Sequence, residues 1–231
     1  MLAFLLALVA ISAAPFTTVS GGDTTFVYGG CTQQKYPPSS SYQFSLNSLL
    51  TTLVNAAGYN IYSNFTVTAA SSPTAYGLFQ CRGDMASAAC SACVSAAVSQ
   101  LMGVLCSDSY GAAIQLEGCL VRYDSAAFVG AEDKTVVVKR CGPGEYGDRV
   151  GPGEPVLEYL AGQPGFFRVG SVGDEKGVAQ CVGDLSVGEC QDCLGDAIGR
   201  LRSECGGAWL SICIRVFSFR FWSLDQWPIQ D

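Results

Sequence analysis

The chain contains 231 residues, with 13 Lys and Arg against 20 Asp and Glu, a formal net charge of −7, 12 cysteines and no histidine. The absence of histidine excludes Ser-His-Asp and Cys-His catalytic sites and any metal or haem held through imidazole. The acidic balance argues against nucleic acid as a partner, because phosphate binding requires a dense surface of Lys and Arg.

The first element of the chain is an apolar run from Leu2 to Ala14. Its length is typical of the hydrophobic segment of a signal peptide and is too short to span a bilayer. We therefore interpret residues 1–21 as a signal peptide and expect the chain to enter the secretory pathway. The only N-glycosylation sequon is Asn64-Phe65-Thr66, which fits that route and makes Asn64 the predicted acceptor.

Apolar residues at helical spacing predict the first amphipathic helix after the signal peptide. Short runs rich in β-forming residues predict strands at 66–68, 76–81, 113–117, 120–123 and 135–138. Two helices packed on an antiparallel sheet, an α+β arrangement, account for this pattern most simply. The buried stripe of the first helix is predicted to consist of Leu46, Leu49, Leu50, Leu53, Val54 and Ala57.

A tandem repeat is the strongest signal in the sequence. The segment that begins Gln80-Cys81-Arg82-Gly83-Asp84 returns as Gln180-Cys181-Val182-Gly183-Asp184, and each copy continues as Cys-x8-Cys-x2-Cys. We expect a first domain at 22–140, a second at 141–213 and a divergent tail at 214–231. Each copy holds six cysteines, at positions 31, 81, 90, 93, 106 and 119 and at positions 141, 181, 190, 193, 205 and 213.

A second helix is predicted to begin inside each cysteine motif. Ser186 and Glu189 have the spacing of a capping box, and Ser87 takes the cap position in the first copy. Behind these caps, one face of each helix is apolar. The residues on those faces are Cys90, Cys93, Val94, Ala97 and Leu101 in the first copy and Cys190, Cys193, Leu194, Ala197, Ile198 and Leu201 in the second.

The Cys-x2-Cys pairs have three possible roles. A zinc site would need four thiolates, yet Cys93 and Cys190 are far apart in sequence and lie in different repeats. A thioredoxin-like pair would begin a helix, as these pairs do, but four further cysteines accompany each pair. An even number of cysteines in an exported chain favours a structural disulfide framework, with no metal and no cofactor. The spacing alone leaves the pairing open.

The tandem Cys-x8-Cys-x2-Cys motif, with Gln-Cys and Gly-Asp at matching places, resembles the ginkbilobin-homologous domain of land plants. This domain occurs in a secreted antifungal seed protein, cysteine-rich repeat secretory proteins, cysteine-rich receptor-like kinases and plasmodesmata-located proteins. The stretches around Glu132–Val137 and Val178–Cys181 look most like the plasmodesmata-located branch. The resemblance implies two modules, each with a five-stranded antiparallel sheet and two helices. It also implies the disulfides Cys31–Cys106, Cys81–Cys90, Cys93–Cys119, Cys141–Cys205, Cys181–Cys190 and Cys193–Cys213.

The resemblance also bears on sugar binding. The single-domain relative resembles a mannose lectin that uses an Asn, an Arg and a Glu, and the matching places here hold Thr32, Ala113 and Asp124. In the second copy the first of these places is Gly142. Only the acid is approximated, so Asp124 is a weak ligand-binding candidate. Tyr123 and Tyr110 are either stacking platforms for another glycan or ordinary core tyrosines.

The C-terminal end departs from the family pattern, because Trp209, Trp222 and Trp227 all follow residue 208. The alternating Phe217, Phe219 and Phe221 either form a replacement strand or belong to a foreign reading frame. We expect the second module to be incomplete and the chain to lack the transmembrane helix of its membrane-anchored relatives.

These features predict a non-enzymatic extracellular protein that acts by binding. The first hypothesis is a protein of the plasmodesmata-located type, which modulates cell-to-cell traffic. The alternative is a secreted apoplastic carbohydrate-binding or antifungal defence protein. Expected partners are a cell-wall glycan or the extracellular domains of membrane proteins, and the expected location is the apoplast or the plasmodesma. Arg82-Gly83-Asp84 is interpreted as a turn in a small disulfide loop.

Overall fold

The computed structural model describes residues 23–70, 72–131, 133–139, 154–173, 175–205, 211–213 and 216–223. The predicted signal peptide, 1–21, and residues 140–153 therefore lie outside the described residues. In the first module, five antiparallel strands form one sheet in the order β1-β4-β5-β3-β2. This confirms the predicted fold class. The strands are β1 (Phe26–Cys31), β2 (Tyr62–Val67), β3 (Ala75–Cys81), β4 (Ala112–Leu116) and β5 (Cys119–Asp124).

Two helices cover one face of this sheet, α1 (Ser41–Ala56) and α2 (Ser87–Gln100). The hydroxyl of Ser40 accepts the Gln43 N–H at 3.3 Å and caps α1, whose predicted leucine stripe is buried. The predicted cap of α2 is wrong. Ala86 occupies the N-cap position without a side-chain hydrogen bond, and Ser87 already lies in the helix.

Three disulfides join these layers. Cys81–Cys90 links β3 to α2, and Cys93–Cys119 links α2 to β5, with Cα separations of 5.6 and 6.0 Å. Cys31–Cys106 links the end of β1 to the residue that follows the π-helical turn Leu101–Leu105, with a Cα separation of 5.5 Å. The two cysteines of the first Cys-x2-Cys pair, Cys90 and Cys93, therefore bond to different strands rather than to each other.

Helix α2 and its π-helical turn form one continuous segment, Ser87–Leu105. Of the described helices, this segment is the one with the length and hydropathy of a membrane span. Cys90 and Cys93 attach it to β3 and β5, and the buried Val94, Ala97 and Leu101 face the sheet. The segment is therefore a core helix of the first module.

The second module repeats this order of elements. They are β6 (Val136–Lys139), α3 (Glu154–Gly162), β7 (Phe167–Val172), β8 (Glu175–Cys181), α4 (Val187–Cys205), β9 (Ser211–Cys213) and β10 (Val216–Ser223). Strand β6 pairs with β9, and the other three form a sheet in the order β10-β8-β7. The capping box is confirmed, because the Ser186 hydroxyl accepts the Glu189 N–H and the Glu189 carboxylate accepts the Ser186 N–H at 2.7 Å.

These pairings bear on the expected bounds of the second module, 141–213. Strand β6 pairs with β9, so the module begins before residue 141, and β10 pairs with β8, so the module extends beyond residue 213. The segment 216–223 takes the sheet position that β5 occupies in the first module. Counterparts of all five strands and both helices of the first module are thus among the described elements.

A pseudo-symmetric junction holds the two modules together. The buried side-chain oxygen of Gln80 accepts the Gly183 N–H at 3.0 Å, and the buried side-chain oxygen of Gln180 accepts the Gly83 N–H at 3.0 Å. A Cβ on Gly83 would come within 2.5 Å of Phe167, and one on Gly183 within 2.7 Å of Tyr62. Each module therefore presents the same patch to the other, as in an isologous dimer interface.

Candidate binding site

An open cavity of about 230 Å³ lies on the first module's sheet, on the face opposite the helices. Most of its lining comes from three adjacent strands, β1, β4 and β5, and Val137 of β6 also lines it. The cavity follows from the pairing register, because cross-strand neighbours share one face of a sheet. The rows that line it are Tyr28, Gln115 and Leu120; Gly30, Ala113 and Arg122; and Thr32, Gly111 and Asp124.

Small residues form the floor of the cavity. Gly30, Gly111 and Ala113 leave space where larger side chains would stand. A Cβ on Gly111 would come within 2.7 Å of an Asp124 carboxylate oxygen, and one on Gly30 would collide with the Tyr28 hydroxyl. Gly30 and Gly111 therefore leave room for Tyr28 and the Asp124 carboxylate to lie close to the sheet, and the cavity forms above these small residues.

Three side chains of different chemistry form the walls. Tyr28 contributes an aromatic ring and a phenol, and Asp124 contributes a carboxylate whose second oxygen already accepts the Ala126 N–H at 3.0 Å. Arg122 contributes a guanidinium that stacks 4.3 Å from the centre of the Phe128 ring and lies 3.7 Å from the Asp133 carboxylate. An acceptor, a donor group and an aromatic surface thus converge on one small space, as in sites for small polar ligands.

The structure brings together the three positions that the resemblance assigned to a sugar site. Thr32, Ala113 and Asp124 all line the cavity. The Thr32 hydroxyl is engaged locally, because it accepts the Gly111 N–H at 2.9 Å. Gly142, the matching position in the second module, lies outside the described residues.

The two tyrosines considered as stacking platforms belong to the core. Tyr123 is fully buried on the helix side, and its hydroxyl donates to the Ser109 carbonyl at 3.1 Å. Tyr110 packs against Tyr36 and Tyr42 with ring centres 5.8 and 4.7 Å apart. Burial, followed by the charges of neighbouring groups that include Asp124, raises the pKa of Tyr123 and of Tyr42 well above the ordinary tyrosine value.

The first two cysteines of each Cys-x8-Cys-x2-Cys motif form a crosslink. Cys81 and Cys90 are buried and bonded to each other, and Cys181 and Cys190 are bonded in the same way in the second module. Among the described residues, no group of three or more Cys, Asp or Glu is placed to hold a metal. The implied pairs Cys141–Cys205 and Cys193–Cys213 involve side chains outside the described residues and stay predictions.

Arg82-Gly83-Asp84 is engaged within the chain rather than displayed. The Arg82 guanidinium forms ion pairs with Asp84 at 2.6 Å and with Asp23 at 3.2 Å. Gly83 lies against Phe167 of the second module. The Gly-Asp repeat therefore does more than form a turn, because its glycine allows the close approach of the other module.

The predicted glycosylation acceptor lies far along the sheet from the cavity. Asn64 is exposed at the centre of β2, at the opposite sheet edge from β1. Its side-chain amide donates to the Tyr62 hydroxyl at 2.8 Å. The sequon is therefore accessible on the folded module.

Sequence reasoning missed Tyr28 and Arg122 as cavity residues. Arg122 lies on the strand predicted at 120–123 and Asp124 directly follows it, so the alternation of an extended chain places their side chains on one face. That signal was present in the sequence. The strand that carries Tyr28 was not predicted, because Tyr28-Gly29-Gly30 reads as a turn rather than as a strand.

Comparison with known proteins gives this cavity a context. The family described as salt stress response/antifungal matches residues 30–126. Plasmodesmata-located protein 7 of Arabidopsis thaliana is 52% identical over 204 residues, covering 87% of this chain and 68% of the relative. Antifungal protein ginkbilobin-2 of Ginkgo biloba is 32% identical over 128 residues, covering 54% of this chain and 94% of that protein.

Solved structures agree on the tandem arrangement. The tandem DUF26 ectodomain of the Arabidopsis thaliana cysteine-rich receptor-like protein PDLP5 superimposes with a TM-score of 0.77 at 44% identity, covering 85% of this chain and 98% of that chain. The ectodomain of PDLP8 gives a TM-score of 0.79 at 33% identity, covering 87% and 98%. Two docked modules with one cysteine framework, matched over most of their length, make this chain a member of the tandem DUF26 family that includes the plasmodesmata-located proteins.

Proposed function

We propose that the chain is a non-enzymatic extracellular binding protein that modulates cell-to-cell traffic through plasmodesmata. The single observation that carries this proposal is the 52% identity to a plasmodesmata-located protein across 87% of the chain. The proposed route is secretion with removal of residues 1–21, and the proposed partner is a cell-wall glycan or the extracellular domain of a membrane protein.

The cavity on the first module is the proposed contact site. Its walls combine Asp124 as an acceptor, the Arg122 guanidinium and the Tyr28 ring around a floor of small residues. A volume of about 230 Å³ suits a small polar group, such as one sugar unit or one side chain of a partner protein. Binding there requires no change in the buried core, because the cavity lies on the sheet face opposite the helices.

The test uses the full chain, expressed as a fluorescent fusion in leaf tissue, with the spread of a freely diffusing fluorescent protein as the readout. Asp124→Asn keeps the oxygen that accepts the Ala126 N–H but removes the charge, and Ala113→Leu fills the floor. The double variant is expected to be secreted normally and to lose the effect of the chain on movement.

Matched controls carry the same substitutions elsewhere. Asp192→Asn and Ala88→Leu change exposed residues on α4 and α2, away from the cavity. This control pair is expected to affect movement as the unmodified chain does. The proposal fails if the cavity variant keeps its full effect, or if the unmodified chain leaves movement unchanged.

A second candidate function, carbohydrate binding in the apoplast, is favoured by one observation. The resemblance places an arginine where this chain has Ala113, and Arg122 is the direct cross-strand neighbour of Ala113 on the same face. A guanidinium and the Asp124 carboxylate therefore line the same cavity. Retention on a mannan or glucan column, lost in the Asp124→Asn variant, would favour this candidate.

A further inference from the structure

An unprotected sheet edge coincides with the glycosylation sequon. Strand β2 is the outermost strand of the first module's sheet, and among the described strands none pairs with its outer side. Such an edge presents backbone N–H and C=O groups to which a strand of another molecule can add. We propose that an N-glycan on Asn64 covers this edge and keeps the secreted chain monomeric.

The register shows which backbone groups face outward. The Cys81 N–H donates to the Ile61 carbonyl at 2.7 Å, so Ile61 and Cys81 form a hydrogen-bonded pair. Hydrogen-bonded and non-hydrogen-bonded pairs alternate along an antiparallel ladder. Asn64, opposite Leu78, is therefore in a non-hydrogen-bonded pair, and its backbone N–H and C=O point away from β3. Asn64, the predicted glycosylation site, therefore also directs its backbone N–H and C=O outward at the centre of the edge.

The folded module has room for the sugar. The side chain of Asn64 is exposed, and Thr66, the third residue of the sequon, is exposed as well. The amide nitrogen of Asn64 carries two hydrogens, and one of them donates to the Tyr62 hydroxyl at 2.8 Å. Glycosylation replaces one hydrogen and leaves the other for this bond. The first sugar is thus held beside the edge.

Strand β2 lacks the other devices that protect sheet edges. Its sequence, Tyr-Ser-Asn-Phe-Thr-Val, contains no charged residue and no proline, and its pairing with β3 shows no register shift. Charges, proline and bulges are the usual means of blocking strand addition. The opposite edge strand, β1, does have a shift between Phe26 and Tyr28. A short uncharged strand of this composition is prone to pair with itself, and the glycan supplies the missing block.

The experiment expresses the full chain in secreting plant cells and measures its glycan by mass spectrometry and its mass by light scattering after gel filtration. The protein with its own sequence is expected to carry a glycan on Asn64 and to elute as a single chain. Asn64→Gln and Thr66→Ala each remove the sequon and are expected to shift the apparent mass to that of two or more chains.

Two controls separate the sugar from the substitution. Thr66→Ser changes the same residue but keeps the sequon, and it is expected to stay monomeric. Asn64→Lys removes the glycan but places a charge on the edge, and it is expected to stay monomeric too.

Three results would overturn the proposal. One is an unmodified Asn64 in the secreted protein. Another is a monomeric Asn64→Gln variant at the concentrations where the glycosylated protein is measured. The third is association of Asn64→Lys, which would place the contact elsewhere than on β2. None of these results bears on the cavity, so they leave the proposed function separately testable.

Discussion

The two modules have similar cores and meet at a junction to which both contribute the same residues. They differ in the side chains that hold their first helices in place. Helix α1 is capped at its start by Ser40, whereas the last turn of α3, which ends at Gly162, is held by Arg168. The guanidinium of Arg168 is buried and donates to the carbonyls of Leu160 and Ala161 at 3.0 and 3.2 Å. By the strand register, the matching residue of the first module is Ser63.

This contrast distinguishes the residues that both copies of the repeat need from the contacts that can differ between them. The Gln-Cys-x-Gly-Asp segments serve three purposes at once: a disulfide, a helix entrance and the surface that meets the other module. A substitution of the glutamine in one copy would leave a buried backbone N–H of the other module without its acceptor. A larger residue in place of the glycine would collide with a side chain of the other module. The contacts that hold the ends of the first helices lie away from the junction, so they can differ between the copies.

The largest expected effect is the loss of stability when a disulfide is removed. Comparing these losses tests whether the crosslinks of the two modules are equivalent. Replacing Cys31 and Cys106 by alanine opens a loop of 75 residues and is expected to cost about 4.5 kcal/mol of unfolding free energy in the chain-entropy model. The double variants at Cys81–Cys90 and Cys181–Cys190 each open a separation of 9 residues and should cost about 2.6 kcal/mol. Denaturant unfolding measures all three. Unequal costs for the two short loops would show that the modules are not equivalent.

The junction glycines give the next effect. Valine at Gly83 or at Gly183 would press against Phe167 or Tyr62, and each substitution is expected to destabilise by about 1–3 kcal/mol through overpacking. Gly195→Ala is the control, since its Cβ would meet nothing within 4 Å on α4, and it should stabilise the helix by about 0.5–1 kcal/mol. Thermal melting measures each variant. A neutral Gly83→Val variant would contradict the close module contact.

The helix-end contrast predicts a difference between matching positions. Arg168→Met removes the charged donor of the Leu160 and Ala161 carbonyls, which keep only the Gln163 N–H and the Gln191 side-chain amide, and should cost about 1–3 kcal/mol. Ser63→Ala removes only a hydroxyl that donates to the adjacent Tyr62 carbonyl, and it should cost less. Chemical denaturation of the two variants compares them. Equal losses at the two positions would remove the argument that α3 depends on its C-terminal contacts.

The smallest effect is a pH dependence confined to the first module's core. Because burial raises the pKa of Tyr123 and Tyr42, both stay protonated in the folded state above the ordinary value of 10.0, while the unfolded chain ionises. Stability is thus fully present below pH 10 and falls as the pH rises further. Tyr123→Phe should weaken this alkaline loss and cost about 1 kcal/mol at neutral pH through the bond to Ser109. An unchanged alkaline profile would contradict it.

Local patterns in the sequence predicted most of the fold. The leucine stripe of α1, the apolar faces of α2 and α4, and the capping box of α4 all depend on residues within a few turns of one another. Two features depended on partners far along the chain. Strand β6 lies within the expected first domain, 22–140, yet it pairs with β9. The residues Phe217, Phe219 and Phe221 were interpreted either as a replacement strand or as a foreign reading frame, and the segment 216–223 pairs with β8.

The cavity was less accessible to prediction than the fold. Asp124 was identified through a resemblance, but Tyr28 and Arg122 become neighbours of that residue only through the pairing of three strands. The contact between the two modules could not be predicted from the sequence for a related reason. Gln80 and Gln180 were visible as a repeat, yet nothing in either copy alone shows that each side chain binds the backbone of the other module.

Throughout, the thiols are assigned to crosslinks and the function to the surface that the crosslinks hold in place. Disulfide mapping of the secreted full chain by mass spectrometry tests this assignment most directly. The predicted result is linked peptides for Cys31–Cys106, Cys81–Cys90, Cys93–Cys119 and Cys181–Cys190, together with Cys141–Cys205 and Cys193–Cys213. A free sulfhydryl at Cys81, Cys90 or Cys93, or a stoichiometric metal bound there, would contradict it.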